Sequence, residues 1–285
     1  MIPLRDSARL SRVPVVTIVL LGGTVVAYLV AIASGGSLIN GPSSATVVHF
    51  GAIPYELAHL GEHCELGAQA FSQAVLCTGQ HGVQGAASAQ PPTWLTVFTS
   101  VFVHANVLHL VIDLAFLRVF AAALEEEAGP IALLVIFFAG AIAGIALAAA
   151  ADAGSAAPLI GPGGALAAVI AARLVLAPQS KVVTVVLVPF FFNVVEAPAA
   201  LIAAVWVAAT LALDASGLAT KLGDAGAAYQ LLGGAALGLL AAAAITRVSR
   251  GPLGAASDGV GDPPAVGLPG DDGGVGVRVE GDRGL

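Results

Sequence analysis

Six apolar runs, each close to the length of a helix that crosses a bilayer, decide what this chain can become. A hydrocarbon layer about 30 Å thick takes roughly 20 helical residues to cross. The runs are Val15–Ala33, Val101–Leu124, Ile131–Ala151, Gly163–Ala177, Ala199–Leu213 and Ala225–Ile245. The fourth is short and opens at a glycine turn within "PLIGPGG", and the fifth has a broken approach, "VVTVVLVPFFFNVVEAP". Backbone N–H and C=O groups in lipid must be bonded within the fold, and no run alternates like a barrel strand, so helices are expected throughout. The expectation is an all-α membrane protein of six spans. Composition agrees, since 10% of the 285 residues are charged, against about 25% in a soluble domain.

The net charge of −7 says little about partners, because much of the acidity lies in loops and in the C-terminal stretch. No nucleic-acid partner is expected from it. The basic residues are more informative. Arg5, Arg9 and Arg12 precede the first run, Arg118 lies near the end of the second, Arg173 and Lys181 flank the turn after the fourth, and Arg247 and Arg250 follow the sixth. With both termini cytoplasmic, all of these fall on one side and only Lys221 on the other, the positive-inside pattern. The organisation expected is a cytoplasmic N-terminus at 1–13, a membrane domain at 14–250 with a long external loop at 34–93, and a Gly-, Asp- and Pro-rich disordered cytoplasmic tail at 251–285. "RDSARLSR" and the later "AIA" imitate a cleavable signal, but the apolar run exceeds the ~7–15 residues of a signal core, so an uncleaved helix is expected. No repeat between the halves suggests a transporter.

The external loop holds both cysteines. A disulfide between Cys64 and Cys77 that pins the loop is the expected state outside the membrane. A metal site from His59, His63, Cys64, Cys77 and His81 is the other reading, although no standard zinc spacing is present, and free thiols remain a third. No metal or cofactor is expected.

Polar groups inside apolar runs are costly and are functional candidates by default. They concentrate in the second run, "LTVFTSVFVHANVLHLVIDLAFLRVF", with His104, His109 and Asp113. His109 and Asp113 stand four residues apart on one helical face. The plain reading is a His–Asp pair that satisfies itself in the interior, and the functional one is a polar cavity open to the outside.

The chain from about residue 14 to 250 resembles the bacterial rhomboids, a family of intramembrane serine proteases. The resemblance rests on the His-x4-His-x3-(Asn) pattern at His104, His109 and Asp113, Glu-x3-Gly at Glu125 and Gly129, the glycine turn before the fourth span, and Gly-x3-Gly at Gly234 and Gly238. It implies a six-helix bundle in a bacterial plasma membrane. In the family a serine in Gly-x-Ser-Gly is the nucleophile, and that position here is Gly163, in Gly161-Pro162-Gly163-Gly164. The family's base is a histidine three residues before the Gly-x3-Gly pair, which here is Leu231. The oxyanion-stabilising histidine and asparagine fall on His109 and Asp113, so one of the two is an aspartate.

Glycine has no hydroxyl to acylate and leucine takes no proton. Loss of either partner in a serine hydrolase removes on the order of a millionfold in rate. An ionised Asp113 would oppose the oxyanion. Ser155, Thr99, Ser100 and Tyr229 are not at family catalytic positions, and neither is Gln230. The resemblance therefore implies a catalytically degenerate member, a pseudoprotease that binds transmembrane segments of client proteins. The alternative is an active serine endopeptidase with a displaced site. Gly233, Gly234 and Gly238 are expected to bring the sixth helix close to the fourth, at Gly163, Gly164, Ala167 and Ala171. Arg173, Lys181 and Glu196 are expected to act as interface anchors or loop contacts.

Overall fold

The computed structural model describes residues 2–6, 10–69, 72–80, 91–188, 191–215 and 226–249. The compact unit runs from Met1 to Arg247. The tail at 251–285, His81, Arg9, Lys221 and Arg250 lie outside the described residues. Elements in chain order are β1 (Ile2–Asp6), α1 (Val15–Ala33), β2 (Gly36–Ser37), β3 (Gly41–Pro42), α2 (Ser44–Phe50), α3 (Pro54–Ala58), β4 (Cys64–Gln69) and β5 (Ser72–Cys77). They continue with α4 (Thr93–Thr99), α5 (Val107–Ala128), α6 (Pro130–Ala151), α7 (Gly163–Leu176), β6 (Lys181–Val188), β7 (Phe191–Pro198), α8 (Ala199–Ala215) and α9 (Ala227–Ser249).

Among the described residues four helices are long and apolar enough to cross a membrane: Val15–Ala33, Val107–Ala128, Pro130–Ala151 and Ala227–Arg247. The fourth and fifth expected spans are the shorter apolar helices Gly163–Leu176 and Ala199–Ala212. At 1.5 Å per residue the 14 residues of α7 reach only about 21 Å, some two thirds of a hydrocarbon layer. α7 is a core helix, buried along most of its length from Gly164 to Arg173.

Its neighbours come close because they lack side chains at the crossings. A Cβ at Gly140 in α6 would stand 2.3 Å from the Ala168 Cβ of α7. On the other side, a Cβ at Gly234 of α9 would stand 2.0 Å from the Gly164 carbonyl oxygen, and one at Gly238 would stand 2.2 Å from that of Ala168. The expected approach of the sixth helix to the fourth is thus made backbone to backbone at Gly234 and Gly238. Phe116 and Phe120 of α5 stack at 6.0 Å, and Phe116 meets Trp206 of α8 at 5.7 Å, which ties α5 and α8 into the same core.

The chain is not all-α. β1, β6 and β7 form an antiparallel sheet in the order β1-β6-β7. The broken approach to the fifth span is therefore a hairpin, with Lys181 opposite Pro198 and Val188 opposite Phe191. A Val/Thr-rich run favours an extended chain, and pairing with β1 and β7 supplies the backbone bonds that a helix would otherwise provide. Within the expected N-terminal segment, residues 2–6 pair with β6, with Ile2 and Asp6 opposite Val185 and Val182. Between α1 and α4 the described residues form two further hairpins, β2–β3 and β4–β5.

The sheet and the helices meet at the last turn of α5, where three consecutive acids each hold a different piece of chain. Glu125 accepts from the Val16 N–H at 2.9 Å, the Thr17 N–H at 2.8 Å and the Thr17 hydroxyl at 2.7 Å. It thereby caps α1, whose own N-cap residue, Pro14, makes no side-chain cap bond. Glu126 accepts from the Arg12 N–H at 3.2 Å and from the Ser11 hydroxyl. Glu127 pairs with Arg173 at 3.1 Å, and Arg173 also pairs with Asp6 of β1 at 3.0 Å. Arg173 is 5% exposed, so it is a buried tie between α7, α5 and β1 rather than an anchor reaching outward. Gly129, at φ +89°, then turns the chain into α6.

Candidate functional site

The candidate residues gather at the opposite end of α5. The second span begins later than expected, at Val107 rather than Val101, because Ser100–Phe102 is a 3-10 turn and Asn106 caps α5 by accepting from the His109 N–H at 2.9 Å. His104 therefore sits in the turn before the helix, not within it. Its ring still faces α5: His104 Nε2 lies 3.4 Å and His109 Nε2 3.0 Å from Asp113 Oδ2. The two imidazole rings meet edge to face at 5.1 Å.

Burial differs across this cluster. His104 is fully buried and Asp113 nearly so, whereas the His109 side chain is about one third exposed, at 34%. Neither Asp113 Oδ2 nor His104 Nε2 makes a well-angled hydrogen bond. The three groups are held together by proximity and charge, with their hydrogen-bonding capacity only partly used.

The glycine turn closes over this cluster. The Gly161 N–H donates to the Ser100 carbonyl at 2.9 Å, and Gly161 sits at φ +85°, a conformation natural to glycine. A Cβ there would meet His109 Cε1 at 2.9 Å and Nε2 at 3.1 Å, so the bare backbone seats directly on the imidazole. Gly163 is the first residue of α7. Within 4 Å, a Cβ there would meet only Gln230 Oε1, at 3.7 Å, an ordinary contact. Gly164, one residue on, has no such room, because a Cβ would stand 2.8 Å from the Gly140 carbonyl oxygen.

Leu231 is buried within the apolar core. The side chain presented to Gly163 comes from its neighbour Gln230, which is 6% exposed. A glutamine inside an apolar helix was the one sequence signal that pointed to this position. Gln230 offers an amide and no basic nitrogen, so it does not replace a general base. Buried Ser100 donates its hydroxyl to the Val97 carbonyl at 3.2 Å. The site thus brings together His104, His109, Asp113, Gly161, Gly163 and Gln230, with an aspartate-oriented imidazole and no hydroxyl at Gly163.

In the loop between α1 and α4, Cys64 and Cys77 are joined by a disulfide across β4 and β5. Both sulfurs are committed to it, which removes them from the metal reading. Among the described residues no group of three or more His, Cys, Asp or Glu side chains is arranged to hold a metal ion. Nearby, buried Glu56 accepts from the Cys64 N–H at 2.6 Å. Burial raises the Glu56 pKa above its ordinary value, while that hydrogen bond and the charge of His63 lower it by less.

A family model described as Rhomboid domain matches residues 91–248, more than half of the chain and inclusive of α4 through nearly all of α9. No curated protein matches.

Proposed function

Because the chain belongs to the rhomboid family, we propose that it is a membrane pseudoprotease that holds transmembrane segments of client proteins without cleaving them. The observation that carries this reading is Gly163. The turn at Gly161, the close crossings of α7 with α6 and α9, and the His109–Asp113 pair are all in place around a position with neither hydroxyl nor Cβ. With Leu231 in the core and only an amide from Gln230 nearby, nothing at this position can form an acyl-enzyme. The chain is a rhomboid-family membrane protein. We further assign both termini to the cytoplasmic side on the distribution of the basic residues, and the membrane to a bacterial plasma membrane on the resemblance to bacterial rhomboids.

The test is an activity-based serine probe applied to the purified full-length protein in detergent beside an active rhomboid. No labelling of this protein is the expected result. Stoichiometric labelling lost on mutation of Ser100 or Ser155 would establish a displaced active site and end the pseudoprotease reading.

A further inference from the structure

We propose that the outer face of the β1-β6-β7 sheet lies against the lipid bilayer, at the boundary between headgroups and acyl chains, as a surface anchor beside the spanning helices. This contact does not depend on whether the protein holds client segments.

The first support is the difference between the two faces of the sheet, since successive side chains of a strand point to opposite sides. Val182 and Thr184 of β6 and Ala197 of β7 are buried, and Val182 and Ala197 belong to the core shared with α5, α7 and α8. That face is covered. On the alternate positions Val183 and Val185 are half-buried and Lys181 and Glu196 are exposed, while Val194, opposite Val185, is 54% exposed. Leu4 of β1 adds another exposed apolar side chain, at 38%. The outer face is apolar, with its charged residues, Lys181 and Glu196, at the end of the hairpin that adjoins α8. By sequence the other end, 187–192, reads LVPFFF, a composition suited to the headgroup–acyl boundary.

The second support is the level at which the sheet is held. Arg173 ties Asp6 of β1 to Glu127 at distances of 3.0 and 3.1 Å, at the last turns of α7 and α5. With 22 residues, α5 is about 33 Å long, enough to cross the hydrocarbon layer, so its ends lie at the two boundaries. The sheet is fixed at one of them. β7 ends at Pro198 and α8 begins at Ala199 without a linker, which keeps Val194 within about 17 Å of the start of α8. α8 is an apolar helix with Leu201 and Val205 exposed, so the valine face runs on along the chain into a surface made for lipid. The depth is limited from the other side. Unpaired N–H and C=O groups at the edges of an open sheet need water, which they find among headgroups and not in the hydrocarbon core.

The experiment uses full-length protein in phosphatidylcholine nanodiscs, with a nitroxide on one introduced cysteine. Cys64 and Cys77 are bonded to each other, so the introduced thiol alone is labelled. Collisions with oxygen, which concentrates in lipid, and with a water-soluble nickel chelate are read at Val194→Cys and at Leu4→Cys. Val26→Cys, on the exposed side of α1, and Leu60→Cys, in the loop before β4, are the lipid and water references. The expected result is an oxygen-to-nickel ratio at Val194 and Leu4 severalfold above that at Leu60 and below that at Val26. A ratio no higher than at Leu60 would place the face in water and overturn the proposal. A ratio equal to that at Val26 would place it in the hydrocarbon core and overturn the boundary assignment. Low collision with both reagents would mean that protein covers the face, whether a second copy or the 251–285 stretch, and would overturn it too, as would opposite behaviour of the two sites. Either site decides the outcome alone where the other variant yields no folded monomer.

Discussion

The two ends of α5 both carry buried acids, and the molecule treats them differently. At the C-terminal end Glu125 collects three hydrogen bonds from Val16 and Thr17, and Glu127 meets a buried arginine. At the N-terminal end Asp113 Oδ2 lies between two imidazole nitrogens at 3.0 and 3.4 Å, neither contact well angled. The first end joins α1, β1, α5 and α7 through these bonds, with one buried nitrogen, Arg173 Nε, left over. The under-satisfied end borders the glycine turn and carries no comparable structural duty. The degree of hydrogen bonding thus distinguishes the junction of α1, β1, α5 and α7 from the polar cluster beside the glycine turn.

The same contrast applies to glycines and gives the largest expected effect. Gly234→Val would drive a side chain into the Gly164 backbone, where even a Cβ lies 2.0 Å from the carbonyl oxygen. Backbone on both sides of that crossing cannot yield, so loss of a folded monomer in size-exclusion chromatography is expected. Gly163→Ser has room, with Gln230 Oε1 at 3.7 Å as the near contact, and should change the melting temperature by less than about 2 °C, the scale of a small surface substitution. A fold that tolerates Gly234→Val, or is lost in Gly163→Ser, would reverse the assignment of these two glycines. Gly163→Ser alone is also expected to give no cleavage of a helix-destabilised transmembrane substrate on a gel, because the side chain facing that position is the Gln230 amide, which takes no proton.

Next in size is Glu125→Ala. It leaves the Val16 N–H, Thr17 N–H and Thr17 hydroxyl without their acceptor and strips the only side-chain cap of α1 described here. Each buried unsatisfied group costs about 1–3 kcal/mol, with water recovering part of it, so a loss of roughly 3 kcal/mol or more in detergent unfolding is expected. At the other end, Asp113→Leu should cost about 1–3 kcal/mol, since fully buried His104 then loses its one anionic neighbour. Asp113→Asn keeps shape and hydrogen-bonding capacity and should be nearly neutral. If Asp113→Asn destabilises as much as Glu125→Ala, the two ends are equivalent and the comparison fails.

Much of this was readable in the sequence, and the parts that were not share a cause. Long apolar runs identify α1, α5, α6 and α9 because a bilayer imposes one length on every crossing helix. The hairpin β6–β7 escaped because a Val-rich run in a hydrophobic chain reads as a broken span, and its partner strand Ile2–Asp6 lies some 180 residues away in sequence. Arg173 escaped for the same reason: its partners Asp6 and Glu127 are brought to it by tertiary contacts alone. His104, His109 and Asp113 were visible because they are local in sequence and chemically out of place. Gln230 was visible as a polar residue and Gly234 and Gly238 marked the crossing of α9 with α7, but which side chain of α9 faces Gly163 depends on the helix's rotation at that crossing.

Glu56 lies between the two extremes and gives the smallest expected effect. It is 2% exposed and takes one hydrogen bond, from the Cys64 N–H, with the disulfide-bonded hairpin packed beside it. Burial raises its pKa above the reference value of 4.5, only partly offset by that bond and by the charge of His63. A carboxyl whose pKa is higher in the folded state binds more protons there than in the unfolded chain. Its contribution is therefore fully present below the unfolded value and is lost as pH rises through the folded one. Over the range upward from about pH 4.5 the wild type should lose stability relative to Glu56→Gln, whose amide keeps an acceptor for the Cys64 N–H and has no charge to bury. The difference in melting temperature between the two proteins should grow by about 2 °C or less between pH 4 and pH 7. A constant difference across that range would show that Glu56 is as well satisfied as Glu125, and would move it to the saturated class.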